Sequence, residues 1–201
     1  LFIETPDSSG ILHGFLGHEL WDEHLYHYTT ENLRRLLIQS GFEILQNAVK
    51  PHRGGTNILY WVQKKNRKKK SLFSPSQMRS DVKACIGFAK QWGTLSKEVC
   101  EKVSQAPKPI ICLGASHPQT NYLLFTDIGK QIDFMVDDDP IKVGRYVSIP
   151  QLVKIISTNQ LFEKDLPGMI IKTAFGCDGW MDRICQPMKE KGVFIMEPYL
   201  S

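Results

Sequence analysis

Apolar positions recur along this chain with two different periods. Between Asn57 and Gln63, Ile58, Tyr60 and Val62 alternate with Leu59 and Trp61, which predicts a strand with one buried face. Phe42–Val49 reads as another strand, and Pro51-His52-Arg53-Gly54-Gly55 between the two reads as a turn. The two strands are therefore expected to pair antiparallel. Leu1–Thr5 is a short apolar run, a third strand that ends at Pro6-Asp7. A helix precedes the pair. Thr29 is its N-cap, Glu31 lies in its first turn, Leu33, Leu36 and Leu37 form its apolar stripe, and Gly41 stops it. Residues 6–28 show no clean period and predict a long loop with one helical turn. The loop holds His13, His18, Trp21, His24, Tyr26, His27 and Tyr28, too aromatic for a disordered segment.

The pattern changes after residues 64–70, KKNRKKK, where six of seven are basic. Val82, Cys85, Ile86, Ala89, Leu95, Val99 and Val103 then mark one face of a helix over 78–105, with Gly93 as a possible break. Short apolar runs at 109–113, 132–136, 168–173 and 193–196 follow as strands. Helices are expected at 120–129 and 181–191, and 149–156 has mixed character. Strand and helix in alternation predict an α/β fold. The expected organisation is residues 1–65, a basic and polar linker at 66–77, and an α/β domain over 78–201.

Composition narrows the function. With 201 residues, 42% of them hydrophobic, the chain has enough apolar surface for a core and is not globally disordered. No run approaches the ~18 apolar residues of a membrane span, so no membrane partner is expected. A net charge of +4 is too small to imply nucleic acid. No aromatic interleaves the 64–70 run, so it is expected to be solvated linker rather than a nucleic-acid patch. Five cysteines without a C-x-x-C exclude a zinc ribbon or a thioredoxin-like pair, and no metal site is expected. They read as reduced and mostly buried, which points to a cytoplasmic protein. The chain opens on Leu1 and enters a strand at once, so it is expected to be processed or the tail of a longer protein.

Three constellations can carry chemistry. Trp21-Asp22-Glu23-His24 places a carboxylate beside an imidazole in the aromatic loop, and a Glu that orients a His is a means of moving a proton near neutral pH. The same pair also serves as an ordinary loop that bonds its own backbone. Gly114-Ala115-Ser116 follows a buried strand and precedes a helix, where backbone amides can hold a phosphate. Asp137 ends the next strand, the position of a ribose-binding acid in dinucleotide folds, although the full G-x-G-x-x-G is missing. Asp139-Pro140-x-Lys142-x-Gly144-Arg145-Tyr146 gives a shaped loop in which Lys142 and Arg145 can meet an anion.

Taken together, the strand ending IETPD, the EHL of Glu23-His24-Leu25, the helix closing in GFE and the HRGGTNILYWV pair resemble the last third of a class I S-adenosyl-L-methionine-dependent methyltransferase. The sugar C-methyltransferases are most similar. They join a zinc-binding piece, a methyltransferase domain and a C-terminal Rossmann-like domain. His52–Thr56 resembles their H-G-G-S turn. Gly114–Ser116, DDDPIKVGRY at Asp137–Tyr146 and the closing VFIMEP resemble marks of their last domain. Where the family carries Tyr-His before Glu-His, this chain has Trp21-Asp22, and its Lys-Gly after GAS is Pro118-Gln119 here.

The resemblance implies the end of a class I methyltransferase sheet followed by a Rossmann-like domain. It implies a nucleotide-activated keto-sugar as substrate. His24, oriented by Glu23, would remove the proton beside the carbonyl, and the enolate carbon would take the methyl group of S-adenosyl-L-methionine. The glycine-rich cofactor loop is not in this chain. Trp21, His52, Gly114, Ser116, Asp137, Lys142 and Arg145 would bind substrate. The alternative from another class is a non-catalytic Rossmann-like module that binds a nucleotide or a partner.

Overall fold

The structure is a computed structural model that describes residues 1–14, 25–52, 55–65, 75–174 and 176–197. By compactness the chain divides into residues 1–92 and 93–201. The division falls inside a helix, α3, which is continuous from Pro75 to Ser104 and does not break at Gly93.

The first unit is a three-stranded antiparallel sheet in the order β1-β3-β2. Its strands are β1 (Phe2–Pro6), β2 (Phe42–His52) and β3 (Gly55–Lys64). The expected pair is present, and both strands run further into the turn than their composition predicts. Pro51 is tolerated within β2 because β2 is an edge strand, where a missing amide breaks no inner ladder. A short helix, α1 (Ser9–Gly14), follows β1. The helix α2 (Thr30–Gln39) starts and stops as predicted. The Thr29 hydroxyl accepts from Asn32 N at 3.3 Å, and Gly41 follows the C-cap at φ +86°, where L side chains are strained. Leu33 and Leu37 of α2 pack with Ile58, Tyr60 and Val62, the inward face of β3. Leu36, assigned to the same stripe, is instead exposed.

The second unit is a six-stranded sheet flanked by helices. Its order is β6-β7-β5-β4-β8-β9, parallel except for β6. The strands are β4 (Ile110–Leu113), β5 (Phe134–Val136), β6 (Tyr146–Ser148), β7 (Leu152–Ile156), β8 (Met169–Lys172) and β9 (Phe194–Met196). The helices are α4 (His117–Phe125), α5 (Thr158–Phe162) and α6 (Asp178–Glu190). From β4 the chain builds outward through β5 to β7, then returns and continues on the other side as β8 and β9. A doubly wound sheet of this kind opens a crevice where the direction reverses, at the carboxyl ends of β4 and β8. Ile111 and Leu113 face α6, with Met181, Ile184 and Met188, and their neighbour Cys112 lies beside Tyr122 of α4. Strand β6 was not predicted; it is three residues long and pairs only with β7. The helix after β4 starts three residues before its predicted position, because Ser116 is the N-cap and Pro118 suits the first turn.

Two expectations change. The predicted apolar face of α3 is only half used: Val99 and Val103 are buried, but Val82 and Ile86 are more than half exposed. The cysteines are not mostly buried. Cys112 and Cys185 are buried, Cys100 and Cys177 are half-buried, and Cys85 is exposed. No helix among the described residues is long and apolar enough to cross a membrane.

Candidate functional site

In the first unit the site is defined by topology. Strands β1 and β2 both run antiparallel to β3, so they are parallel to each other and end at the same edge of the sheet. Thr56 shows the convergence. It pairs with Pro51 at the end of β2, and its carbonyl accepts from Asp7 N at 2.8 Å, just past β1. Asp7 also bridges Tyr28, and Ser8 N donates to Tyr28 O at 2.8 Å. The connection between β1 and α2 therefore leaves and returns at one point, beside the end of β2. Trp21, Glu23 and His24 belong to that connection and lie outside the described residues. His52 is the last residue of β2, at this same end.

Asp7 holds the feet of the connection. One carboxylate oxygen accepts from Ser9 N at 3.0 Å and the Ser9 hydroxyl at 2.7 Å. The other accepts from the Thr30 hydroxyl at 3.3 Å. The Tyr60 hydroxyl donates to Thr30 O at 2.9 Å, which ties the start of α2 to the sheet. Asp7 is buried, and it was not among the predicted site residues. The signal was available: Asp followed by two serines is the composition of a side-chain-capped turn into a helix.

In the second unit, Gly114, Ser116, Asp137 and Lys142 come together. They line a cavity of about 330 Å³ with Gln119, Ala174, Cys177 and Trp180, at the point where the sheet reverses. Gly114 is required there. Its φ is +95°, and an added Cβ would lie 2.9 Å from that of Ala174, just beyond β8. Arg145 does not line this cavity; it is exposed, and its carbonyl accepts from Ile155 N at 2.8 Å.

The turn amides predicted to hold a phosphate are already engaged. Gly114 N donates to Val136 O at 2.7 Å, Ala115 N to Asp137 Oδ2 at 3.0 Å, and Ser116 N to Gln119 Oε1 at 3.2 Å. Lys142 is engaged as well, with Nζ 2.8 Å from Asp137 Oδ2. The other oxygen of Asp137 accepts from Asp139 N at 3.0 Å. Partial burial pushes the Asp137 carboxyl up, but Lys142 and the amides of Asp139 and Ala115 outweigh it and hold the group below the usual carboxylate range. The turn is thus filled by a carboxylate of the chain itself, and the cavity presents acid oxygens to a ligand. That chemistry suits hydroxyl groups better than a phosphate. Gln119 completes the frame: its Nε2 donates to Thr173 O at 3.0 Å, and the Thr173 hydroxyl donates to Leu113 O at 2.7 Å.

Asp138, which also lines this cavity, accepts from three donors. Thr158 N at 2.8 Å, the Thr158 hydroxyl at 2.7 Å and Trp180 Nε1 at 2.7 Å all donate to it. Desolvation raises its pKa, while these donors and the nearby Arg183 lower it further than desolvation lifts it. Trp180 and Asp138 were not distinguished by sequence spacing, because they lie 42 residues apart. Among the described residues no cluster of His, Cys, Asp and Glu has a metal-ligand arrangement. No protein-family model matches this chain, and no curated protein matches it either.

Proposed function

We propose that this chain is the C-terminal part of an S-adenosyl-L-methionine-dependent methyltransferase that acts on a nucleotide-activated keto-sugar or a related small molecule. The observation that carries the reading is the convergence in the first unit. Asp7 and Tyr28, the described feet of the connection whose sequence carries Glu23-His24, lie at the end of β1 beside the end of β2, where His52 is the last residue. Strand ends of one sheet edge are where α/β folds place their chemistry. Among the described residues β1 pairs only with β3, which also supports it, because further strands of a larger sheet can add at the other edge.

The described residues offer the cofactor no cradle. The 201 residues lack the family's glycine-rich loop, and the strand-to-helix turn at 114–116 has its amides engaged. S-adenosyl-L-methionine would supply an electrophilic methyl group, and in this reading another segment binds it. This chain's share is proton removal and substrate holding. His24 takes the proton beside the substrate carbonyl, with Glu23 fixing the imidazole. Taken by itself, the cavity of the second, Rossmann-like unit suits a hydroxyl-bearing ligand against Asp137. The protein is cytoplasmic in this reading.

The test uses the polypeptide in which this chain is joined to its cofactor-binding half, with methyl-labelled S-adenosyl-L-methionine and a nucleotide keto-sugar. His24→Ala is expected to lower turnover roughly 10²–10⁴-fold with little change in KM. Glu23→Gln is expected to lose less. Wild-type turnover in His24→Ala, with an unchanged pH profile, overturns the mechanism. One observation favours a second reading, a non-catalytic nucleotide-binding module: the 330 Å³ cavity is built from the second unit alone. Nucleotide binding without any methyl transfer by the longer polypeptide would select it.

A further inference from the structure

A second cavity, of about 530 Å³, lies between α5 and α6 and shares Asp138 and Trp180 with the first. We propose that it binds a planar aromatic ring carrying an anionic group, with the ring against Phe162 and Trp180 and the anion on Arg183. The site does not depend on the methyl-transfer reading. Its volume falls in the range of small-molecule pockets.

Three features of the lining support this ligand. The first is a fixed aromatic wall. The Trp180 indole is tied at Nε1 to Asp138, which Thr158 anchors through both its amide and its hydroxyl. A ring held in this way stacks on a flat ligand with little loss of rotamer freedom. The second is Phe162, at the end of α5 and 47% exposed. A phenyl ring open to solvent beside a cavity leaves apolar surface for a ligand to cover. The third is Arg183. Among the described residues it has no hydrogen bond, only the Coulombic attraction of Asp138. Asp138 already accepts three hydrogen bonds from Thr158 and Trp180, so a ligand anion can take the guanidinium without leaving that carboxylate unsolvated. Asn159 adds a side-chain amide on the lining, able to donate and accept at the edge of a ring.

The chemistry is shared by nucleotides and by simple aromatic acids, so the test separates them. The whole chain is titrated calorimetrically with adenosine 5′-monophosphate, uridine 5′-monophosphate, adenosine, ribose 5-phosphate and indole-3-acetate. A nucleotide site binds at least one monophosphate more tightly than adenosine or ribose 5-phosphate. A site for aromatic acids binds indole-3-acetate best. Both results support the proposal, provided that Phe162→Ala and Arg183→Ala each weaken the best probe about tenfold, the usual worth of a charge-assisted bond or a stacked ring. Arg183→Ala should leave adenosine binding unchanged. Both side chains are exposed, and a preserved melting temperature verifies the fold. Failure of every probe to bind at millimolar concentration overturns the proposal. So does binding that neither variant weakens, or that only Asp137→Asn weakens, which would place the ligand in the first cavity.

Discussion

At the carboxyl ends of β4, β5 and β8, the turn is tied to other parts of the chain by several polar contacts. Asp137 closes on Ala115, Asp139 and Lys142, and Gln119 and Thr173 tie β8 back to β4. At the carboxyl ends of β1 and β2 the arrangement differs. One buried carboxylate, Asp7, pins the feet of a connection, and the predicted base is carried between those feet. The cores differ in the same way. The doubly wound sheet buries side chains on both faces, whereas the three-stranded sheet buries Ile58, Tyr60 and Val62 against α2 and leaves Phe2 and Trp61 exposed on the other face. A binding frame in the second unit is therefore prebuilt, and its geometry is inseparable from the stability of the sheet. In the first unit the polar ties that the described residues show are local, at the feet of the connection.

The largest contrast is expected in thiol labelling. Cys85 is exposed on the part of α3 that belongs to the first unit, and Cys112 is fully buried in β4, where burial pushes its thiol well up. A maleimide should modify Cys85 at the rate of a free thiol. Cys112 should react at least roughly 10³-fold more slowly, since it must wait for the sheet to open. Mass spectrometry of partially labelled protein measures both. Similar rates would mean that the second unit is not a stable core, and the contrast between the units would fail.

Next in size is Gly114→Ala. The substitution forces a Cβ onto a backbone at φ +95° and to within 2.9 Å of the Ala174 Cβ. Strain and overpacking together should cost about 3 kcal/mol, read as a fall in denaturant midpoint. Because the turn is part of the frame, binding to the 330 Å³ cavity should be lost in the same variant. A change in binding without a change in stability would separate the two properties that the structure joins.

The two carboxylates that organise the sites can be compared directly. Asp137→Ala leaves the Ala115 amide and the Lys142 ammonium without their acceptor and should cost about 2 kcal/mol in global stability. Asp7→Ala removes a local cap and should cost about 1 kcal/mol. Its main effect should be faster proteolysis between residues 9 and 27. Acid probes the carboxylates of the second unit without mutation. The folded pKa values of Asp137 and Asp138 are lowered, so their contribution is complete above the ordinary carboxylate pKa of the unfolded chain. It is lost as pH falls through the lowered folded values. Asp137→Ala should therefore lose its stability deficit in acid, where wild type and variant converge. A deficit that persists at low pH would mean that the aspartate acts by packing and not by charge.

Most strands were legible because alternation and apolar runs are local signals. Ile58, Tyr60 and Val62 faced inward as their spacing predicted, and Thr29 and Gly41 bounded their helix. Strand β6 was not legible: three residues that pair only with β7 carry no period of their own. The exposed half of α3 was misread because amphipathic spacing reports that a face is apolar, not that another element covers it. Within the cavity, Gly114, Ser116, Asp137 and Lys142 were legible from strand-end position. The direction of the chemistry was not. Whether turn amides are free to hold a phosphate depends on what the fold brings against them, and here that is the carboxylate of Asp137, from a different strand end.

The smallest effect sharpens the comparison from the first unit's side. Glu31, in the first turn of α2, accepts from Arg34 Nε at 2.7 Å and from Arg35 Nε at 2.8 Å. Both pairs lie three or four residues apart on one helix, and the Glu31 and Arg34 side chains are about half exposed. Exposed pairs of this kind contribute a few tenths of a kcal/mol each, so Glu31→Gln should cost roughly 0.5 kcal/mol. The hydrogen bond from Arg34 is the main reason that the Glu31 carboxyl is held below its usual range; burial opposes it, and Arg35 assists. A lowered carboxylate stabilises above the unfolded-state pKa and stops doing so as pH falls through the folded value. The small deficit should thus be present at neutral pH and vanish in acid, and added salt should shrink it. Arg35 allows a larger result. It is buried, and among the described residues its Nη1 has no hydrogen-bond partner, so its charge relies on Glu31 more than the exposed Arg34 does. If Glu31→Gln costs several times more than expected and resists salt, the pair with Arg35 behaves as a buried one. The first unit would then hold a second fixed polar tie beside Asp7, and the difference between the two strand-end frames would narrow.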